Sequence, residues 1–439
     1  MNYYDEMTNS IYERNLVRRN NRKKKAIAAL SVGLAAVLTV GVSVLLPETT
    51  SSATKLLSAR TVYAEGEVSF ESKTLKAYRD FCGDTFARIE REGNTLYSPM
   101  PLFLGLSILA SGAAGETKAE LLSLLHMDEE TLVSFCNLLC EYFHLSETVK
   151  VAGSLWIRDG FSVQESFLKQ NADFFGGEIY QSDFSKRTVN DINVWVRKAT
   201  NGQIREIIDK IDPSEVIELL TSLSMEARWS EEFSSYADGT FTANGETKSV
   251  QTLKRTLSSY YDSGNALAFT HSLLGKEGLT FMGILPNDEN YVLDASELSA
   301  LFSGKVEGYA TEEAIYSYKV YTTLPKFQYE SELTLQDMLE SLGVKRAFSE
   351  VEADFSGIAE GLFLHSPVQH AAIDLNKNGI KASAVVRFPG ATSAASPTYL
   401  EEVYITLDRP FYYLIYAQPD WRSEDDVIPL FMGYVSNPQ

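Results

Sequence analysis

Residues 26–46 (AIAALSVGLAAVLTVGVSVLL) form a run of 21 residues without one charged side chain, and they directly follow the basic stretch 14–25 (RNLVRRNNRKKK). An uncharged, mostly apolar run of this length is about what a helix needs to cross a bilayer. With the positive flank first, the amino terminus is expected to stay in the cytoplasm and the rest of the chain to be exported. The run therefore divides the chain into four parts: 1–25 as a cytoplasmic basic tail, 26–46 as a transmembrane signal-anchor helix, 47–66 as a linker containing Ser and Thr, and 67–439 as the folded domain. The domain is expected to be extracytoplasmic, either anchored to the membrane or secreted after cleavage at Val62-Tyr63-Ala64.

The formal charge of −20 hides an asymmetry, because residues 1–25 hold seven Lys or Arg against three acidic residues, which leaves −24 for the remainder. Such an acidic body repels phosphate backbones, so no nucleic acid partner is expected. Only three cysteines occur, Cys82, Cys136 and Cys140. That is too few for a disulfide scaffold, and they lack the spacing of a zinc site. They read as buried thiols, with a redox pair at Cys136 and Cys140 as the alternative.

Leu75, Tyr78, Phe81, Cys82, Phe86 and Ile89 recur at steps of three and four, predicting an amphipathic helix that Gly93 would terminate. Residues 98–125, 129–145 and 189–210 share that spacing. Residues 149–157, 218–228, 278–285, 317–325 and 403–416 are rich in β-branched and aromatic side chains and read as strands. Helices early and strands late make an α+β pattern, not the alternation of a parallel α/β fold.

A series of strings resembles the serpin family in order along nearly the whole exported part. Asn94-Thr95-Leu96-Tyr97-Ser98-Pro99 with Gly112-Ala113-Ala114-Gly115-Glu116-Thr117 is similar to its SP…GAxGET segment. Ile192-Asn193 with Trp195-Val196 and Thr200-Asn201-Gly202-Gln203-Ile204 resembles its INxWVxxxTxGxI helix and turn. Met225 to Trp229 with Phe233, and Leu285-Pro286, match a later strand and an LP pair. Leu324-Pro325-Lys326-Phe327, Leu342-Gly343, Ala347-Phe348 and Ala353-Asp354-Phe355-Ser356-Gly357 look like LPKF…LG…AF…ADFSG. Arg409-Pro410-Phe411, Leu430-Phe431-Met432-Gly433 and Asn437-Pro438 complete the series. The resemblance implies a serpin fold: several helices packed around a large central mixed β-sheet, smaller sheets, and an exposed reactive-centre loop at about 380–398.

Within that loop the residues carry a latent strand. Ile380, Ala382, Ala384, Val386 and Phe388 are apolar at period two, with Lys381, Ser383 and Arg387 between them, so one face is suited to burial. A fixed strand is the plain reading of such alternation. The resemblance places it instead after a hinge at Gly379, with Ile380, Ala382 and Ala384 as the inserting residues. It implies that a protease attacks the loop, forms an acyl-enzyme, and is trapped when the loop inserts into the sheet. Small Ala382 and Ala384 suit entry into a packed sheet. Burying Ile380, Val386 and Phe388 contributes on the order of 5–8 kcal/mol.

Counting forward from Gly379 places the scissile bond at Ser393–Ala394, while counting back from Pro410 places it near Ser396–Pro397, so the window is Thr392 to Pro397, with Ala395 and Ser396 as alternatives. Small residues there suit an elastase-like or subtilisin-like serine protease, with a cysteine protease as a further class; Tyr399 would suit a chymotrypsin-like one. The resemblance further implies a sheet-opening region at Ser98, Thr221, Trp229 and His370. Departures from the family pattern are Ile380 after the hinge glycine, Pro101 after Ser98-Pro99, Pro389, and a stretch from His370 to Gly379 one residue short, which needs a bulge. No catalytic residue, metal or cofactor is expected, since neither a G-x-S-x-G elbow nor an H-E-x-x-H helix occurs. The expected partner is a target protease, acting on a monomer. The alternative is a non-inhibitory serpin serving as a binding or structural surface protein.

Overall fold

The computed structural model describes residues 34–43, 53–58, 68–91, 93–144, 146–233, 235–310, 315–380, 398–420, 423 and 426–438. Two compact units divide the chain at residues 32 and 33; the first lies outside the described residues, and the second carries everything below.

Eight α-helices are described: α1 (Ser72–Ala87), α2 (Pro99–Gly112), α3 (Gly115–Leu125), α4 (Glu129–His144), α5 (Glu165–Phe174), α6 (Lys186–Ala199), α7 (Ala295–Ser303) and α8 (Gln336–Ser341). The largest sheet has nine strands: β1 (Leu34–Ser43), β2 (Thr54–Leu57), β3 (Val149–Arg158), β4 (Gly177–Ser182), β5 (Glu215–Met225), β6 (Ala227–Arg228), β7 (Phe327–Thr334), β8 (Phe363–Asn376) and β9 (Gly379–Ile380). Their spatial order is β2-β4-β3-β5-β1-β8-β9-β6, with β7 on the other side of β8. A seven-stranded sheet and a five-stranded sheet complete the architecture; in the latter, β10 (Thr398–Thr406) runs parallel to Ile315–Pro325. This is the expected α+β arrangement of helices about a large mixed sheet.

Helix α2 explains how the sheet is backed. Its segment PMPLFLGLSILASG is apolar on every side, and all but Ser111 of its fourteen residues are buried. A helix of that composition is stable only when covered all round. Pro99 and Pro101 fall in the first turn, where a missing N–H costs little.

Several boundaries differ from the sequence expectation. The helical run 98–125 is two helices, because Ala113 and Ala114 are extended and Gly115 has φ +53°. The 189–210 pattern stops at Ala199; Thr200 to Gly202 make a turn with Asn201 and Gly202 at positive φ. Helix α1 ends at Ala87, so Gly93 does not terminate it. The 403–416 run is two strands separated at Asp408-Arg409-Pro410.

The larger corrections lie in the amino-terminal segment. Residues 34–43, expected inside a transmembrane helix, form strand β1 at the centre of the large sheet. Val37, Thr39, Val40 and Val42 give this stretch strong β-propensity, and the sheet offers backbone partners on both edges. Residues 54–57, expected within a linker, form β2, an edge strand whose Lys55 pairs with Glu178. Among the described residues, no helix is long and apolar enough to cross a membrane.

Candidate functional site

The centre of the large sheet is set by β5 and β8. Strand β1 pairs antiparallel with both, so β5 and β8 run parallel to each other with one strand between them. Leu38 of β1 stands opposite Thr221 on β5 and opposite Gln369 on β8. Beneath that row lies the start of α2. Ser98 is fully buried; its N–H donates to Gln369 Oε1 at 2.8 Å, and Gln369 Nε2 donates back to the Ser98 carbonyl at 2.8 Å. The Ser98 hydroxyl donates to the Leu430 carbonyl at 2.6 Å. Thr221 Oγ1 donates to the Pro101 carbonyl at 2.6 Å. These bonds tie both flanks of the central strand to the helix below, and each satisfies a buried polar group.

Of the four residues expected at the sheet-opening region, Ser98 and Thr221 lie together here. His370 does not join them: it is half-buried on β8, 3.6 Å from Glu332 of β7, and desolvation lowers its pKa. The inward residue is its neighbour Gln369. The signal was present in the alternation, since Gln369 shares the parity of Ala371, Ile373 and Leu375, all buried, and His370 does not. From Gln369 the count to Gly379 is a residue longer, and the β7–β8 register runs unbroken from Thr334↔Val368 to Phe327↔Leu375, so the expected bulge is absent from this pairing.

Trp229 belongs to a different place, the hinge. Strand β8 ends at Asn376, turns through Lys377-Asn378, and returns as β9, where Gly379 and Ile380 pair with β8 on one side and β6 on the other. The buried Trp229 indole donates to the Asn376 carbonyl at 2.9 Å, and the Lys377 N–H donates to the Tyr236 hydroxyl at 3.2 Å. Gly379 has φ +145°, and a Cβ there would come within 2.3 Å of the Ala227 carbonyl oxygen, so glycine is required by both conformation and space. Ile380 is fully buried, in keeping with an inward start to the alternation that follows it. Ala382, Ala384 and the candidate scissile residues Ser393, Ala394, Ala395 and Ser396 lie outside the described residues, as does Pro389. Tyr399, on β10, is exposed.

Trp229 packs edge-on against Phe233, His271 and Phe281, at ring separations of 5.5, 5.8 and 5.8 Å. His271 is buried, with Thr322 Oγ1 3.5 Å from its Nε2, and desolvation followed by the nearby Arg255 charge lowers its pKa to about 3. It is thus held neutral beside the hinge. The cysteines are buried free thiols; burial raises the pKa of each, that of Cys140 to about 12. Among the described residues, no group of His, Cys, Asp and Glu could hold a metal ion.

The profile of the serpin (serine protease inhibitor) family matches residues 76–438, which hold the hinge and all the described elements except β1, β2 and the start of α1. The chain belongs to the serpin family. An uncharacterized serpin-like protein of Thermococcus kodakarensis is 28% identical over 392 residues, covering 86% of this chain and 88% of that one. The leukocyte elastase inhibitor of Bos taurus is 26% identical over 364 residues, covering 79% and 93%. The thermophilic serpin tengpin, solved in its native state, superposes with a TM-score of 0.73 at 28% identity, covering 88% of this chain and all of that one.

Two predictions follow from the site's geometry in this serpin. Gln369→Leu strands a buried N–H and a buried carbonyl of Ser98, at about 1–3 kcal/mol each, and should lower the urea midpoint, whereas His370→Ala should change it little; equal effects would contradict the placement. Because His271 has a folded pKa below its unfolded value near 6.5, its burial contributes fully above pH 6.5. That contribution is lost as pH falls towards 3, by up to about 1.4 kcal/mol per pH unit. His271→Gln should flatten the stability-versus-pH curve between pH 6 and 4, read from chemical unfolding at each pH.

Proposed function

We propose that this serpin is a suicide inhibitor of an extracytoplasmic serine or cysteine protease, trapping its acyl-enzyme by inserting the loop after Gly379 into the large sheet between β5 and β8. The observation that carries the reading is the geometry at β9. The chain has already turned back along β8 at Gly379 and Ile380, in the direction and on the edge that an inserting strand would follow. The period-two sequence from Ile380 to Phe388 then supplies one apolar face and small residues.

The covalent step is ordinary acyl transfer. The protease nucleophile attacks the carbonyl carbon on the amino-terminal side of the scissile bond, the peptide bond breaks, and the new amine leaves with a proton. Insertion then carries the ester- or thioester-linked protease away from Thr398, the first residue of β10, before water completes hydrolysis. The freed strand gains ladder hydrogen bonds and apolar burial unavailable to the exposed loop. Small residues from Thr392 to Ser396 support an elastase-like or subtilisin-like target. The basic 14–25 stretch ahead of the apolar 26–46 run supports a body held outside the cytoplasmic membrane, anchored or released by cleavage near Ala64.

Incubation of the full chain bound to phosphatidylcholine vesicles with subtilisin-like and elastase-like proteases should give a covalent complex that survives boiling in detergent, with amino-terminal sequencing of the released fragment placing the cut within 392–397. Ala382→Arg combined with Ala384→Arg should turn the inhibitor into a substrate, cleaved without a covalent band. Loop cleavage without any complex in the unaltered chain on vesicles would instead identify a non-inhibitory serpin.

A further inference from the structure

Strand β9 and strand β1 occupy one continuous column of the sheet. Both pair antiparallel with the same edge of β8, β9 opposite Leu375 and Asn376, and β1 opposite the run from Ala372 to Phe363. Extending the β9 register down that edge would set loop residue 383 opposite Ala372 and residue 386 opposite Gln369. Those two places are held by Ala35 and Leu38. The loop's path downward from the hinge is therefore filled by another part of the same chain, running in the same direction.

The sequences match in kind as well as place. At the positions that carry Ala384 and Val386 in the loop register, β1 carries Ala36 and Leu38, within a run of apolar and small residues from Leu34 to Ser43. Two features show that the amino-terminal segment can reach the column. Ser43 stands opposite Glu215 at one end of β5, and Thr54 of β2 stands opposite Gln181 on β4 at that same end of the sheet. The interval from Ser43 to Thr54 crosses about four strand spacings, roughly 19 Å, which eleven residue steps of up to about 3.3–3.6 Å cover easily.

We propose that residues 34–43 are a removable internal occupant of the loop's insertion site, so that the serpin alternates between a slot-filled form that cannot trap a protease and a slot-open form that can. Opening requires the apolar segment to go elsewhere, and the 21-residue uncharged run that contains it is long enough to enter a bilayer. Membrane contact would then arm the inhibitor, and its absence would hold it shut. One strand cannot be in both places. The trapping half of this inference rests on the inhibitory function proposed above; the occupancy half does not.

The test is a cysteine pair in the full-length chain. Ala35→Cys with Ala372→Cys joins directly opposed residues of β1 and β8, within disulfide reach. Ala36→Cys with Ala371→Cys is an independent second pair should the first fail to fold. Val42→Cys with Ala372→Cys is the control, since Val42 stands opposite Leu364, eight residues and roughly 26 Å along the strand. The native cysteines, all buried, stay out of the reaction. Under oxidation in amphiphile-free buffer the in-register pairs should cross-link and the control should not, and phosphatidylcholine vesicles should suppress the cross-link. With vesicles present the rate of covalent complex formation scales with the open fraction, so a chain locked beforehand should react at least about tenfold more slowly, and reduction should restore the rate. Absence of the in-register cross-link overturns the proposal, as does a cross-linked chain that traps protease at the unlocked rate. Cross-linking in a chain that never traps protease, locked or reduced, would leave the occupancy standing and overturn both the arming role and the inhibitory function.

Discussion

The structure turns on a slot for one antiparallel strand between β5 and β8. Two parallel strands at the centre of a sheet can pair with each other directly or accept an intervening strand, and their exposed N–H and C=O groups make either arrangement favourable. Here the intervening strand is present, and Thr221 and Gln369 hold its flanks to Ser98 and Pro101 at the start of α2. The other features of the site are consequences of that slot. Gly379 lets the chain reverse against β6, Trp229 and Tyr236 bind the turn, and the alternation after Ile380 describes a strand that fits the same space.

Such a slot makes competition between strands a matter of local backbone chemistry. Ladder hydrogen bonds are the same whichever segment supplies them, so the occupant is selected by side-chain fit, tether length and the stability of each segment elsewhere. A bait loop gains a new option when it is cut, because the constraint at its far end disappears. An apolar amino-terminal segment gains one when a bilayer is nearby. Under the two proposals made above, the fold converts two unlike events, proteolysis and membrane contact, into occupancy of one column.

Much of this was legible in the residues. The order of helices and strands and the ordered strings from Asn94 to Pro438 lead to the fold, and the alternation from Ile380 points to an inserting loop, whose residues 381–397 lie outside the described residues. Three features escaped for identifiable reasons. Residue type favours His370, but the buried series Gln369, Ala371, Ile373 and Leu375 marks the inward face. Strings in sequence order carry no distances, so they do not separate Trp229, at the hinge, from Ser98. The strand character of residues 34–43 was hidden because an apolar run satisfies a bilayer or a sheet interior equally well, and only a specific partner edge distinguishes them. The breaks at Ala113-Ala114 and at Asp408-Arg409-Pro410 show the same limit: periodicity identifies element type better than element ends.

The central claim is that the loop enters the sheet once it is cut. Hydrogen–deuterium exchange of the full chain bound to phosphatidylcholine vesicles, before and after cleavage within 392–397, measures this directly. The account predicts that the amides of residues 382–388 pass from rapid exchange to strong protection on cleavage; amides that exchange as fast after cleavage as before would contradict it.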